Sequence, residues 1–297
     1  MKILVTGSNG LLGQKLTELL ERDGNVELIA TAARPAALPV AAGKFQLLDI
    51  TDAVAVDSVI DQHKPDVIIN TAAMTQVDQC ETRREACWKA NVHAVQNLVS
   101  ASRRNSCHLI HVSTDFIFDG TQEMLDETAV PKPVNFYGES KLAGEKVIIE
   151  SDISWCIIRT VLVFGVTKDM SRSNIVLWVK KSLEEGKTIQ VVNDQWRTPT
   201  LAEDLALGCY LAATKKANGI YNISGKDYLS AFDIAIRTAE FFNLDKSLIK
   251  ETDSTKFTQP AKRPPRTGFI IEKARRDLKY EPRSFEEGLD VLASQLS

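Results

Sequence analysis

The stretch Ile3-Leu4-Val5-Thr6-Gly7-Ser8-Asn9-Gly10-Leu11-Leu12-Gly13 decides the fold. Ile3-Leu4-Val5 is apolar on consecutive residues, the pattern of a parallel strand covered on both faces. Then the period changes. Leu12, Leu16, Leu19 and Leu20 follow the i, i+4, i+7, i+8 stripe of a helix packed on a sheet. Between strand and helix lies a G-x-x-G-x-x-G spacing, Gly7, Gly10 and Gly13. Glycine permits the tight turn and lets the backbone approach a pyrophosphate. The unpaired N–H groups of the helix start, at Leu11, Leu12 and Gly13, attract its charge together with the helix dipole. A bare glycine turn is the alternative, and the register of strand, turn and helix speaks against it.

Outward from this unit the same rhythm repeats. Glu27–Ala30, Phe45–Leu48, Val67–Ile69, Leu109–Val112 and Trp155–Ile158 are five further candidate strands, with amphipathic segments between them. Repeated β-α units of this kind predict an α/β fold, a doubly wound parallel Rossmann sheet. After about Phe164 the rhythm weakens to a helix at Asn174–Glu185, a strand at Ile189–Val192, a helix at Leu201–Thr214 and a strand at Gly219–Ile223, with helix and loop beyond. The expected division is a nucleotide-binding Rossmann domain over 1–164, to which a strand near 219–223 returns, and a smaller, mainly helical domain over 165–297. Gln259-Pro260-Ala261-Lys262-Arg263-Pro264-Pro265-Arg266 reads as a loop, since proline removes backbone donors and restricts the residue before it.

The 297 residues are 44% hydrophobic and 25% charged, enough for a large packed core, which excludes stapled miniproteins and disordered tails. Thirty-six Lys+Arg against 39 Asp+Glu leave a net charge of −3, which argues against nucleic acid as a main partner. Any anionic ligand must then be held locally. The five cysteines, Cys80, Cys87, Cys107, Cys156 and Cys209, are odd in number and lack metal-ligand spacing, so buried free thiols and no metal site are expected. The opening apolar run is too short for a signal peptide, and no stretch approaches a membrane span. A soluble, cytoplasmic protein without membrane partners is the expectation.

The remaining chemistry falls at the ends of predicted strands. After the second strand, where an acid would bind a ribose 2′-hydroxyl, the chain reads Thr31-Ala32-Ala33-Arg34. Without a carboxylate there, Arg34 is either a partner for a 2′-phosphate, which favours NADPH while still allowing NADH, or a solvated loop arginine. Asp49-Ile50 follows the third strand, where a carboxylate can accept from an adenine amino group. Asn70-Thr71-Ala72-Ala73 ends the fourth strand with small residues, against which a flat ligand can lie. Val112-Ser113-Thr114-Asp115 brings hydroxyls to the same edge from the fifth. Tyr137-Gly138-Glu139-Ser140-Lys141 then sets a phenol and an ammonium at i and i+4 on one helical face. A phenol, with its pKa near ~10, is a poor acid or base at neutral pH unless a nearby cation stabilises the phenolate, and Lys141 is spaced to do so. Thr114 can hold the reacting oxygen.

Together these residues resemble the extended short-chain dehydrogenase/reductase superfamily, and within it the dTDP-4-dehydrorhamnose reductase family over nearly the whole chain. The resemblance is carried by the glycine turn, by Asn70-Thr71-Ala72-Ala73-Met74-Thr75 with Val77-Asp78, and by Asn91. It continues through Ser113-Thr114-Asp115-Phe116-Ile117-Phe118-Asp119-Gly120, Tyr137 to Glu145, and Asn193-Asp194-Gln195-Trp196-Arg197-Thr198-Pro199-Thr200. It implies hydride transfer from NAD(P)H to the C4 keto carbon of a nucleotide-linked 6-deoxy-hexulose, as in dTDP-L-rhamnose biosynthesis. Tyr137 would donate the proton, Lys141 would lower the tyrosine pKa and bind the nicotinamide ribose, and Thr114 would bond the keto oxygen. Ala72, Ala73 and Thr75 would line the cofactor, Thr114, Asp115 and Arg263 the substrate, and Asn91 would serve site architecture. A homodimer is allowed. Two departures concern the sugar: Leu162 stands where an aromatic wall is expected, and the late signature reads Arg263-Pro264-Pro265-Arg266-Thr267-Gly268-Phe269. The resemblance also extends to the NADP-binding β subunit of methionine adenosyltransferase, a regulatory partner, and to nucleotide-sugar epimerases and dehydratases.

Overall fold

The computed structural model describes residues 1–41, 43–168 and 174–296. Strand and helix alternate as the apolar periods predict: β1 (Lys2–Thr6), α1 (Leu11–Arg22), β2 (Glu27–Ala32), β3 (Phe45–Leu47), α2 (Ala53–His63) and β4 (Val67–Asn70). Next come the short helices α3 (Val77–Thr82) and α4 (Arg84–Trp88), then a π-helical turn (Lys89–His93) that runs into α5 (Ala94–Asn105). They are followed by β5 (His108–Thr114), a 3-10 turn (Asp115–Ile117), α6 (Phe136–Ile149) and β6 (Trp155–Thr160). The rest contributes β7 (Val163–Phe164), α7 (Ile175–Glu184), β8 (Ile189–Val192), β9 (Trp196–Arg197), β10 (Thr200–Leu201) and α8 (Ala202–Thr214). It ends with β11 (Gly219–Asn222), β12 (Leu229–Ser230), α9 (Ala231–Phe241), β13 (Ile249–Thr252), α10 (Glu272–Leu278) and α11 (Phe285–Leu296).

Seven parallel strands form the central sheet in the order β11-β6-β5-β4-β1-β2-β3. Consecutive apolar residues go to opposite faces, as the doubly covered pattern requires. Ile3 and Val5 pack with Leu12, Leu16 and Leu20 of α1 and with Leu205 and Cys209 of α8, while Leu4 faces Val59 of α2 and Leu98 of α5. Each such side chain contributes roughly 1.5–3 kcal/mol through burial. Strand order reverses between β1 and β4, and that reversal opens a crevice at the carboxyl edge of the sheet.

Gly219–Asn222 pairs in parallel with β6 at the edge of this sheet. The division at residue 164 is coarser than the packing, however. Helix α8, β11, Phe269, Ile271 and α10 all pack with the large sheet. The smaller unit is built from α7, α9 and α11 with the parallel pair β8–β13, its core centred on Val179, Leu183, Ile189, Ala235 and Ile249. Strands β12 and β13 fall where the sequence reads as helix and loop. In β13 only Ile249 is buried while Lys250 and Glu251 are exposed, so a four-residue strand presents too little apolar pattern to be seen.

Candidate active site

At the reversal, the ends of β1 and β4 approach so closely that side chains are excluded. Gly7 turns at φ +70°, and a Cβ on it would fall 2.8 Å from the Ala72 backbone nitrogen. A Cβ on Gly13 would fall 2.2 Å from the Gly7 carbonyl oxygen, so α1 can start this near β1 only with glycine. Gly10 precedes α1 without a side-chain cap, which leaves the first-turn N–H groups at Leu11, Leu12 and Gly13 without an acceptor inside the helix. Such a side-chain-free cradle can hold an anion such as a diphosphate.

One residue of the turn was not singled out by the sequence. Asn9 donates through Nδ2 to the Arg34 and Pro35 carbonyls (3.3 and 2.8 Å) and accepts from the Ala37 N–H (2.8 Å), fastening the loop after β2 to the glycine turn. Arg34 on that loop is exposed and makes no ion pair among the described residues. Asp49 is exposed and caps the Thr51 N–H at 2.9 Å, whereas Ile50 is buried and its carbonyl accepts from Asn97 (3.0 Å). Ala72 and Ala73 are half-buried beside the cradle, and Thr75 lies exposed beyond them.

Two strands along the edge from β1, β5 and the α6 that follows it carry the proposed reacting groups. Asn135 caps α6 by accepting from the Gly138 N–H, which fixes where Tyr137 enters the helix. Tyr137 is buried against Phe116, ring centroids 5.7 Å apart and edge-on. Burial pushes its phenol above the ordinary range, and the Thr114 hydroxyl beside it offsets part of that rise. The Thr114 hydroxyl donates to Asp115 Oδ1 (3.0 Å) and accepts from the Phe116 N–H (3.2 Å).

Lys141 departs from its expected posture. It is fully buried, and Nζ donates to the Val112 carbonyl (2.8 Å) and lies 3.1 Å from His111 Nε2, so the amine faces β5. Its own pKa is pushed down to about 8 by burial, with Glu145 and Cys87 opposing. Behind it Glu145 forms a buried ion pair with Arg159 (2.7 Å).

Two candidate substrate ligands have protein partners in this structure. Asp115 was expected to face substrate, but it is buried: its oxygens accept from Thr114 and Thr267 and lie 3.5 Å from Arg197 Nε. Burial raises its pKa against the pull of Arg197. It acts as an anchor for the C-terminal loop. Arg263 was expected to be a free cation for a diphosphate, but it forms a two-pronged pair with Asp78 (3.1 and 2.7 Å), which holds that carboxyl below its usual range. Asp78, Arg197 and Thr267 were not read as a set, because residues so far apart in the chain give no local signal. Asn91 does serve architecture: it bonds both the N–H and the carbonyl of Met74 (2.9 and 3.0 Å) and Ser140 Oγ (2.9 Å), tying the 70–75 segment to α6. Leu162, in the place of the aromatic wall, adopts φ +35°, a strained position for a branched residue.

The match to a known family spans residues 1–297. The chain belongs to the RmlD substrate binding domain family. Among its relatives, the dTDP-4-dehydrorhamnose reductase of Aggregatibacter actinomycetemcomitans is 31% identical over 97% of this chain and 97% of its own. Methionine adenosyltransferase 2 subunit beta of Xenopus laevis is 31% identical over 84% of this chain and 74% of its own. A crystal structure of dTDP-4-dehydrorhamnose reductase from Bacillus anthracis in complex with NADP superposes with a TM-score of 0.88 at 29% identity, covering 99% of both chains. In this RmlD-family chain the doubly wound sheet, the glycine cradle and the Thr114–Tyr137 pair occupy one edge.

Proposed function

We propose that this protein is an NADPH-dependent reductase of the C4 keto group of a nucleotide-linked 6-deoxy-hexulose, with dTDP-4-dehydrorhamnose as the preferred substrate. The observation that carries the reading is the placement of Tyr137 and Thr114 on the same sheet edge as the side-chain-free cradle at Gly7, Gly10 and Gly13. The cradle fits a dinucleotide: a Cβ at Gly7 or Gly13 would collide with backbone, and the helix start lacks a cap. Leu11, Leu12 and Gly13 would hold the diphosphate through backbone N–H groups, Ala72, Ala73 and Thr75 would line the cofactor, Arg34 would serve the 2′-phosphate, and Asp49 and Ile50 would take the adenine end. Held there, a nicotinamide would supply the hydride for the keto carbon.

The chain supplies the rest. Tyr137 gives a proton to the carbonyl oxygen as it gains charge, and the Thr114 hydroxyl bonds that same oxygen, so acid and electrostatic contributions act on one atom. A phenol pushed up by burial is a reluctant acid, so the cation of Lys141 has to turn from β5 toward Tyr137 to bring it into range. Asp115 positions Thr114, and Arg263 reaches a diphosphate by sharing or releasing Asp78. No helix among the described residues is long and apolar enough to cross a membrane. With five free, buried cysteines we place the protein in the reducing cytoplasm, and a homodimer is decided by light scattering.

A second reading, a regulatory subunit that binds NADP without turnover, is favoured by the methionine adenosyltransferase relative. NADPH oxidation measured across dTDP-, UDP- and GDP-linked 4-keto-6-deoxy sugars separates the two. The expected result is stoichiometric NADPH consumption with the dTDP sugar. NADPH binding without oxidation on any of them would replace this proposal with the regulatory one.

A further inference from the structure

A row of buried polar side chains crosses the sheet beneath the active site. Thr6 on β1 donates to Asn70 Oδ1 on β4 (2.6 Å), Asn70 Nδ2 lies 2.9 Å from His111 Nδ1 on β5, and His111 Nε2 lies 3.1 Å from Lys141 Nζ on α6. All four are buried. The polarity of the row is fixed at Asn70. The Ala72 backbone N–H also donates to Asn70 Oδ1 (3.3 Å), and a backbone N–H cannot exchange its role for an acceptor's. Asn70 therefore turns its amide NH2 to His111, so that Nδ1 accepts. A neutral imidazole has one hydrogen, which must then sit on Nε2, facing Lys141.

His111 is neutral, because complete burial disfavours its charged form and holds its pKa well below the ordinary value. An Nε2–H directed at Lys141 meets another donor if the lysine is an ammonium and a lone pair if it is an amine. Donation to the Val112 carbonyl is open to either form. The other titratable or charged groups near Lys141 and Tyr137 are Glu145 on α6, Cys87 on α4, Cys80 on α3, Asp115 in the 3-10 turn, and Arg159 on β6, which pairs with Glu145. Glu145 is neutralised by Arg159, and the Lys89 and His93 side chains of the π turn are exposed. Among the described residues, none of them accepts a hydrogen bond from Lys141 Nζ.

We propose that His111 is a positioning residue for Lys141: its Nε2–H, oriented by Asn70, holds the lysine as an uncharged amine against β5 when no cofactor is bound. The lysine then becomes a cation only on leaving His111, so its charge and its position change together. That this matters to catalysis rests on the reductase reading; the hydrogen-bond argument does not.

The test reads the two side chains directly. Protein labelled with 15N-histidine has four imidazoles, and His111→Gln assigns one of them. The expected spectrum shows His111 neutral, with its hydrogen on Nε2, throughout the neutral pH range. In protein labelled with 13C-lysine, the Lys141 ε-carbon, assigned with Lys141→Arg, should read as a neutral amine at pH 7, because the His111 hydrogen lowers further an amine that burial already brings to about 8, and an ammonium at pH 7 would overturn the proposal. In His111→Gln the side-chain carbonyl can accept from an ammonium, so the midpoint should rise by about one unit, a roughly tenfold change in the proton equilibrium. A hydrogen on Nδ1, a charged His111, or an unmoved lysine midpoint in folded His111→Gln would each overturn the proposal. If that variant does not fold, the wild-type tautomer, assigned by elimination with variants of the other three histidines, still decides. Absence of NADPH turnover would sink the reductase reading and leave both resonances as informative as before.

Discussion

Tyr137 and Lys141 share a helical face, yet burial acts on them in opposite directions, raising the phenol and lowering the amine. Both shifts favour the neutral side chain, because a site closed to water penalises charge of either sign. The proton donor is therefore stored in its loaded form. Tyr137→Phe keeps the ring against Phe116 and removes only the transferable proton, so turnover should fall by roughly 10² or more with NADPH affinity unchanged. Near-normal turnover in this variant, on a substrate the wild type reduces, would exclude Tyr137 as the acid. Arg34 offers a separate test at the cradle. Its guanidinium is exposed and makes no ion pair among the described residues, so Arg34→Ala should weaken NADPH several-fold and leave NADH little changed. Fluorescence titration of both cofactors measures this, and equal affinity for the two in wild type would remove the assigned role.

Between residue and molecule, the π-helical turn before α5 does the work of alignment. It presents Asn91 to Met74 and Ser140, while Gly144 of α6 lies so near that a Cβ there would fall 2.6 Å from the Asn91 carbonyl oxygen. Asn91→Ala would leave the Met74 N–H and carbonyl without these partners and should cost roughly 1–3 kcal/mol in urea unfolding. Because the same segment carries Ala72 and Ala73, NADPH affinity should fall with it. Full stability together with full affinity would show that Asn91 does not align this segment. The elements themselves were legible in the sequence wherever burial was continuous. Ile3-Leu4-Val5 and Trp155–Ile158 announce doubly covered strands, and Tyr137 with Lys141 stands out because an i, i+4 pair follows a strand ending in hydroxyls. What stayed hidden depends on contacts between distant residues. Asp78 and Arg263 pair across 185 positions, and Asp115 meets Arg197 and Thr267 from two other parts of the chain. Neither charge pattern nor spacing marks such partners, so Asp115 and Arg263 read as free ligands until the fold showed them bound. The direction of Lys141 was hidden for the same reason, since it depends on a histidine in a strand thirty residues earlier.

For the whole molecule, the central position of β5 ties stability to pH. His108 and His111 both lie on this strand, both are buried, and desolvation is the first cause lowering the pKa of each. In the unfolded chain both would titrate near the ordinary value of about 6.5. As pH falls through that value the unfolded state takes up protons that the folded state refuses, so the unfolded state binds more protons and stability rises with pH. The stabilisation is thus complete above about 6.5 and is lost below it, at up to about 1.4 kcal/mol per pH unit for each histidine. His63, less buried and with a smaller desolvation, adds to this only weakly. Asp115 and Asp204 work in the other sense, since a raised pKa lets the folded state gain a proton first; their window opens at the ordinary carboxyl value near 4 and runs upward, whereas that of the histidines runs downward from about 6.5. Between neutral pH and about 5.5 the histidines therefore set the sign, and the urea midpoint should fall as the solution is acidified. Replacing one of the pair, as in His108→Gln, should remove about half of that dependence, because the two contributions arise from the same burial and differ in partners rather than in kind. A midpoint that stays level or rises over this interval would mean that one or both imidazoles accept a proton inside the fold, and that β5 is not held by neutral histidines.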